Sequence, residues 1–189
     1  MASDLRIIVP DMRGHGDSGR PQGGYTLANF ADDVINLMDA MSVPKAVLVG
    51  HCMGSFIARK VYELAPDRVA RLVLVAGGPT MRTPVMTELT KTIDTLADPV
   101  DEHFVRAFQM GCIHAPVPET FMEAIIANSR RVPARIWKAV IHGLLDSEIN
   151  LLRPGVRALV LGGRNDAVFS VAEQMMLAGL FPRGGLHLI

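Results

Sequence analysis

The chain has 189 residues, 49% hydrophobic and 20% charged, with 19 basic and 19 acidic side chains. That composition allows one domain with an insertion, and it offers no field that would favour nucleic acid or an anionic membrane. No run approaches the roughly 20 apolar residues needed to span a bilayer; the N-terminus has no basic segment followed by an apolar core and cleavage site, so a cytoplasmic location is expected. Cys52 and Cys112 do not make a disulfide framework, and with the six histidines they form no metal-ligand pattern, so neither a metal nor a cofactor is expected. A net charge near zero gives poor colloidal repulsion and leaves homo-oligomers open.

In chain order, Leu5 to Val9 reads as a strand and Asp11-Met12-Arg13-Gly14-His15-Gly16-Asp17-Ser18-Gly19-Arg20-Pro21 as a turn. After Tyr25-Thr26 a helix is expected, with Leu27, Phe30, Val34, Leu37, Met38 and Met41 at helical spacing. The apolar run Ala46-Val47-Leu48-Val49 reads as a strand, followed by Gly50-His51-Cys52-Met53-Gly54 and a helical pattern from Ser55 to Ala65. Ala65-Pro66-Asp67-Arg68-Val69 leads into a strand over Leu72 to Ala76. Between Gly77 and Pro154 the alternation of strand and helix stops. Helical patterns at about Pro84 to Leu96, Pro99 to Met110, Pro118 to Arg131 and Pro133 to Leu145, several opened by Pro, read as an inserted helical cap. Arg157 to Leu161 is a further strand, ahead of Gly162-Gly163-Arg164-Asn165-Asp166, and Leu186 to Ile189 is the last. The organisation is therefore a core over 1–76, a cap over 77–154 and a second core part over 155–189.

Cys52 stands at the apex of a G-x-C-x-G turn between strand and helix, a nucleophile elbow with cysteine in place of serine. Gly50 would let the strand end pass close to the helix, and Gly54 would let the first helical turn pack on the strand. The unpaired N–H groups of the helix start favour a thiolate or an oxyanion and are expected to lower the Cys52 pKa. A free cysteine among apolar neighbours is also commonly a small buried hydrophobe, and G-x-x-x-G occurs at nucleotide-binding turns. The nucleotide reading is weakened because neither G-x-G-x-x-G nor G-x-x-x-x-G-K-[ST] follows a strand.

With these segments in this order, the chain resembles the α/β-hydrolase fold family from end to end. Asp11 to Ser18 is similar to its D-x-R-G-x-G-x-S turn, the elbow and the strand after Arg68 follow, and Arg157 to Asp166 is similar to the strand and loop that carry the acid. The resemblance implies an α/β fold, a mostly parallel sheet with flanking helices, carrying a helical cap and incomplete at both ends. It implies Cys52 as nucleophile, Asp166 as acid and the backbone N–H of Met53 as one oxyanion donor. For Asp166 the plain alternative is a solvated loop carboxylate or a cap near Ser170.

The family's histidine base lies past its last strand, in a G-H pair, whereas the chain stops at Ile189. His187 alternates with Leu186 and Leu188 and reads as a strand residue. It is the only histidine after Asp166; His51 and His15 read as local structural groups. The family also opens with further strands and an H-G loop that supplies a second oxyanion donor; their lack would leave the strands at Leu5 to Val9 and Lys45 to Val49 with unpaired edges. The expected function is hydrolysis of a carboxylic ester, lactone or thioester on a small apolar acyl substrate, impaired in this chain. A non-catalytic small-molecule-binding protein or an inactive hydrolase fragment is the alternative. Met81, Met86, Phe104, Phe108, Met110, Phe121, Met122 and Trp137 are candidates to line an acyl pocket, or ordinary helix-packing residues. Apex-aspartate chemistry, as in haloalkane dehalogenases and epoxide hydrolases, is disfavoured by the cysteine.

Overall fold

A computed structural model describes residues 5–151 and 155–189. Four strands, β1 (Ala46–His51), β2 (Val69–Val75), β3 (Arg157–Gly162) and β4 (Gly184–Leu188), form a sheet in the order β1-β2-β3-β4. Every neighbouring pair is parallel. The helices are α1 (Leu27–Ala40), α2 (Met53–Leu64), α3 (Pro84–Asp94), α4 (Glu102–Gly111), α5 (Glu119–Arg130), α6 (Ala134–Leu145) and α7 (Val171–Gly179), with a short 3-10 turn at Pro66–Arg68.

Local chemistry explains most of these boundaries. Thr26 and Asn29 close a reciprocal capping box at the start of α1, and Ser170 and Glu173 do the same for α7. Thr83 caps α3 with Pro84 in its first turn, whereas Pro118 and Pro133 occupy the cap positions of α5 and α6 with no side-chain bond. α1 buries Leu27, Phe30, Ala31 and Met38 on one face. Leu72 and Leu74 of β2, Val160 of β3 and Phe56 and Val61 of α2 are buried in the same core. Each such side chain contributes on the order of 1.5–3 kcal/mol by leaving water.

The segment between β2 and β3 divides its loyalties. Met86 and Ile93 of α3 and Ile136, Ile141 and Leu144 of α6 join the main core. Val105 of α4, Met122 and Ile126 of α5 and Ala134 of α6 make a second, smaller one with Val100. The expected end of the cap at Pro154 lies outside the described residues.

One expected element is not a strand. Residues 5–12 take no strand pairing, and Leu5, Ile7 and Val9 are 72%, 75% and 87% exposed. An apolar run becomes a strand only when a neighbour accepts its backbone hydrogen bonds, and among the described residues none does. β1 is correspondingly an edge, paired only with β2 among the described residues.

Candidate active site

The elbow is fixed by backbone sterics. Cys52 directly precedes α2 with φ 48° and ψ −114°, a left-handed conformation that L side chains rarely adopt and that costs on the order of 1–3 kcal/mol. Two bonds hold it there: Cys52 N–H donates to Val75 O at 2.9 Å, and Ser55 N–H donates to Cys52 O at 2.9 Å. Gly50 is obligatory because a Cβ at that position would lie 2.1 Å from the carbonyl oxygen of Gly54. Gly54 differs from expectation, since a Cβ there would meet nothing within 4 Å. The close approach is thus a demand on the strand residue, met by the helix backbone.

The electrostatics also differ from expectation. Burial pushes the Cys52 thiol above its ordinary pKa, the backbone N–H of Met53 pulls against it, and the negative charges of Cys112 and Asp166 add to the rise. The helix start does favour the thiolate, but desolvation of a half-buried sulfur outweighs it.

The other half of the site hangs from the neighbouring strands. Cys52 N–H bonds to the end of β2, and Ala76 N–H, just past β2, donates to Leu161 O in β3 at 3.0 Å, so the elbow and the loop after β3 leave the same C-terminal edge of the sheet, where open α/β sheets bind ligands. In that loop Asp166 is half-buried. Its Oδ1 accepts from the N–H groups of Val168 at 2.8 Å and Phe169 at 2.9 Å. The loop between α4 and α5 reaches the adjacent residue, where the Asn165 amide donates to His114 Nε2 at 2.9 Å.

The remaining histidines lie elsewhere. His187 sits in β4 opposite Leu161 with an exposed side chain between half-buried Leu186 and Leu188. His51 is exposed in β1. His15 belongs to the turn, its Nδ1 3.0 Å from Arg13 O. That turn is tied to α1 by the two-pronged Arg13–Asp33 pair and to the helical segment by Arg131–Asp17. Among the described residues no histidine hydrogen-bonds to Cys52 or Asp166, and no cluster of His, Cys, Asp and Glu could hold a metal.

Residues 2–110 match the α/β hydrolase fold. The chain belongs to the α/β hydrolase fold family. It is 26% identical over 203 residues to the 2-hydroxymuconate semialdehyde hydrolase of Pseudomonas sp. (strain CF600), covering 99% of this chain and 69% of that protein. Among solved structures, a hydrolase from Pseudomonas aeruginosa PA01 superimposes with a TM-score of 0.82 at 26% identity, over 95% of this chain and 69% of that one. A thermophilic esterase from Thermogutta terrifontis gives 0.77 at 25% identity, over 98% of this chain and 71% of that one.

One feature of this α/β hydrolase was not foreseen. Arg59 of α2 is buried with its guanidinium over the Phe56 ring at 4.3 Å, and it donates to Ser55 O, Gly78 O and Pro79 O. Burial lowers its pKa to about 10; three carbonyls rather than a carboxylate hold the charge and tie the loop after β2 to α2. The pocket candidates also separate. Met81, Met86 and Met122 are core, while Met110 and Phe121 are 58% and 52% exposed. Phe104, Phe108 and Trp137 pack on one another with ring centroids 5.0–6.2 Å apart.

Proposed function

We propose that the chain is the core of an α/β hydrolase acting on a carboxylic ester, lactone or thioester, with Cys52 as nucleophile, Asp166 as the acid and the Met53 N–H as an oxyanion donor. The observation that carries this reading is the left-handed backbone of Cys52 at the junction of β1 and α2. Strain of that kind persists where the surrounding structure over-determines it, and it clusters at reacting groups. The similarity to a semialdehyde hydrolase and to an esterase supports a small acyl substrate.

In this reading the sulfur attacks the substrate carbonyl carbon as its proton passes to solvent water, no histidine among the described residues being bonded to Cys52 or Asp166. The oxyanion forms against the Met53 N–H, and collapse expels the alcohol with that proton and leaves an acyl-thioenzyme for water to cleave. With the thiol pushed up by burial and no histidine bonded to it among the described residues, slow turnover is expected. A small-molecule-binding protein or inactive hydrolase fragment without turnover is the second reading, favoured by the lack, among the described residues, of a histidine bonded to Cys52 or Asp166.

The test is incubation with p-nitrophenyl butyrate, followed by intact mass and p-nitrophenol release. One butyryl group on Cys52, lost in Cys52→Ala, supports the hydrolase. Saturable binding with neither acylation nor release supports the binding protein.

A further inference from the structure

We propose that Gln174 is the positioning residue for Asp166, clamping both ends of the loop that carries it; this rests on the reading of Asp166 as the acid. The loop begins after Gly162 at the end of β3 and finishes at Ser170, the cap of α7. Gln174, one turn into α7, is fully buried. Its Nε2 donates to Gly163 O at 3.0 Å, at the start of the loop, and to Phe169 O at 2.7 Å, at the end. A primary amide has two N–H groups, and both are used. Two carbonyl acceptors also settle which way the amide points, because its oxygen could satisfy neither.

The clamp passes directly to the carboxylate. Phe169 gives its carbonyl to Gln174 and its N–H to Asp166 Oδ1, so one residue is held from both sides. Gly163 O also receives the N–H of Asp166 at 3.4 Å. The Phe169 ring is buried and packs on Phe56 of α2 with centroids 5.9 Å apart, which sets the loop against the nucleophile helix. Gln174 Oε1, by contrast, has no partner among the described residues. It faces Gly162, where a Cβ would fall 1.6 Å away. A buried amide kept with one orphan atom, opposite a residue that can carry no side chain, is an arrangement that core packing alone does not ask for.

Gln174→Met keeps length and approximate volume and removes both donors. Hydrogen exchange should show the Val168 and Phe169 amides protected in the parent protein and exposed in the variant. With p-nitrophenyl butyrate, kcat should fall about 10²-fold with KM nearly unchanged, the size expected when a catalytic group is misplaced by about 1 Å. Leu177→Val, a core change in the same helix, provides the stability-matched control and should leave kcat unaltered. If Gln174→Met does not fold, Gly162→Ala, which displaces the amide from the other side, should give the same exchange pattern. Unprotected amides in the parent, or equal exchange in parent and variant, would overturn the clamp; a kcat equal to that of the control would overturn the positioning role. Absence of acylation in the parent would sink the catalytic reading of the site, while the exchange measurement would still decide whether Gln174 holds Asp166.

Discussion

The elbow and the acid loop leave the same edge of the sheet but are held by different means. The elbow is nearly self-contained: its conformation follows from Gly50 meeting the Gly54 carbonyl, from two bonds to Cys52 and from the end of β2. The acid loop has no comparable internal framework beyond the Asp166 turn; Gln174 grips it from inside α7, and His114 reaches Asn165 across 51 positions of sequence. The conformation at Cys52 is set by backbone contacts, whereas the loop that carries Asp166 is held by a side chain from the following helix.

The contrast can be broken most directly at the apex. Cys52→Ala should abolish acyl-enzyme formation and lower p-nitrophenol release by at least about 10³-fold, since members of a catalytic set act as a unit; the fold should persist, with an unchanged far-UV spectrum. Release that survives the substitution would move the chemistry away from the elbow.

Gly50→Ala asks whether the elbow is as rigid as its contacts indicate. Its Cβ would press on backbone atoms that cannot rotate away, so a loss of about 3 kcal/mol is expected, at the upper end of overpacking costs. Urea unfolding would show it as a lower midpoint at constant m. A loss below about 1 kcal/mol would mean the strand–helix contact yields.

Asp166→Asn sharpens the electrostatic side. Asn retains Oδ1 for Val168 and Phe169 but removes a negative charge that raises the Cys52 pKa. In the parent, iodoacetamide should label exposed Cys112 before Cys52 near neutral pH, and the Cys52 rate should climb as pH passes above the ordinary thiol range. In Asp166→Asn that climb should move to lower pH. Earlier labelling of Cys52 in the parent would show that the Met53 N–H and the helix start outweigh burial. The smallest effect belongs to His114→Ala, where losing one exposed bond should change stability by less than about 0.5 kcal/mol in a thermal melt.

The elbow was legible because its determinants lie within a few residues: an apolar strand, Gly50 and a helical pattern. The helices between β2 and β3 were legible for the same reason, since Pro and apolar spacing act locally. Leu5 to Val9 carries an equally strand-like pattern, but strand formation depends on a partner that its own residues do not specify. The Cys52 pKa escaped because burial sums over everything packed around the sulfur. Arg59 and Gln174 look like surface residues by type. Their positions suggested otherwise: Arg59 falls three residues after Phe56, and Gln174 three before Leu177, each on the inward stripe of its helix.

The connection from Val75 to Arg157 sets an order of events during folding. β1, α2 and β2 follow one another closely in sequence, as do β3, α7 and β4, so each half can close over short loops. Joining them requires the β2–β3 pairing, whose loop-closure entropy must be met before any contact rewards it, and such long-range parallel pairing is slow. The Cys52 turn thus belongs to a half that can close over short loops, while its alignment with Asp166 awaits the β2–β3 pairing. Pulse-labelled exchange should find the Val73 and Val75 amides protected no later than those of β3, with the Ala76 amide, which bonds to Leu161, closing last.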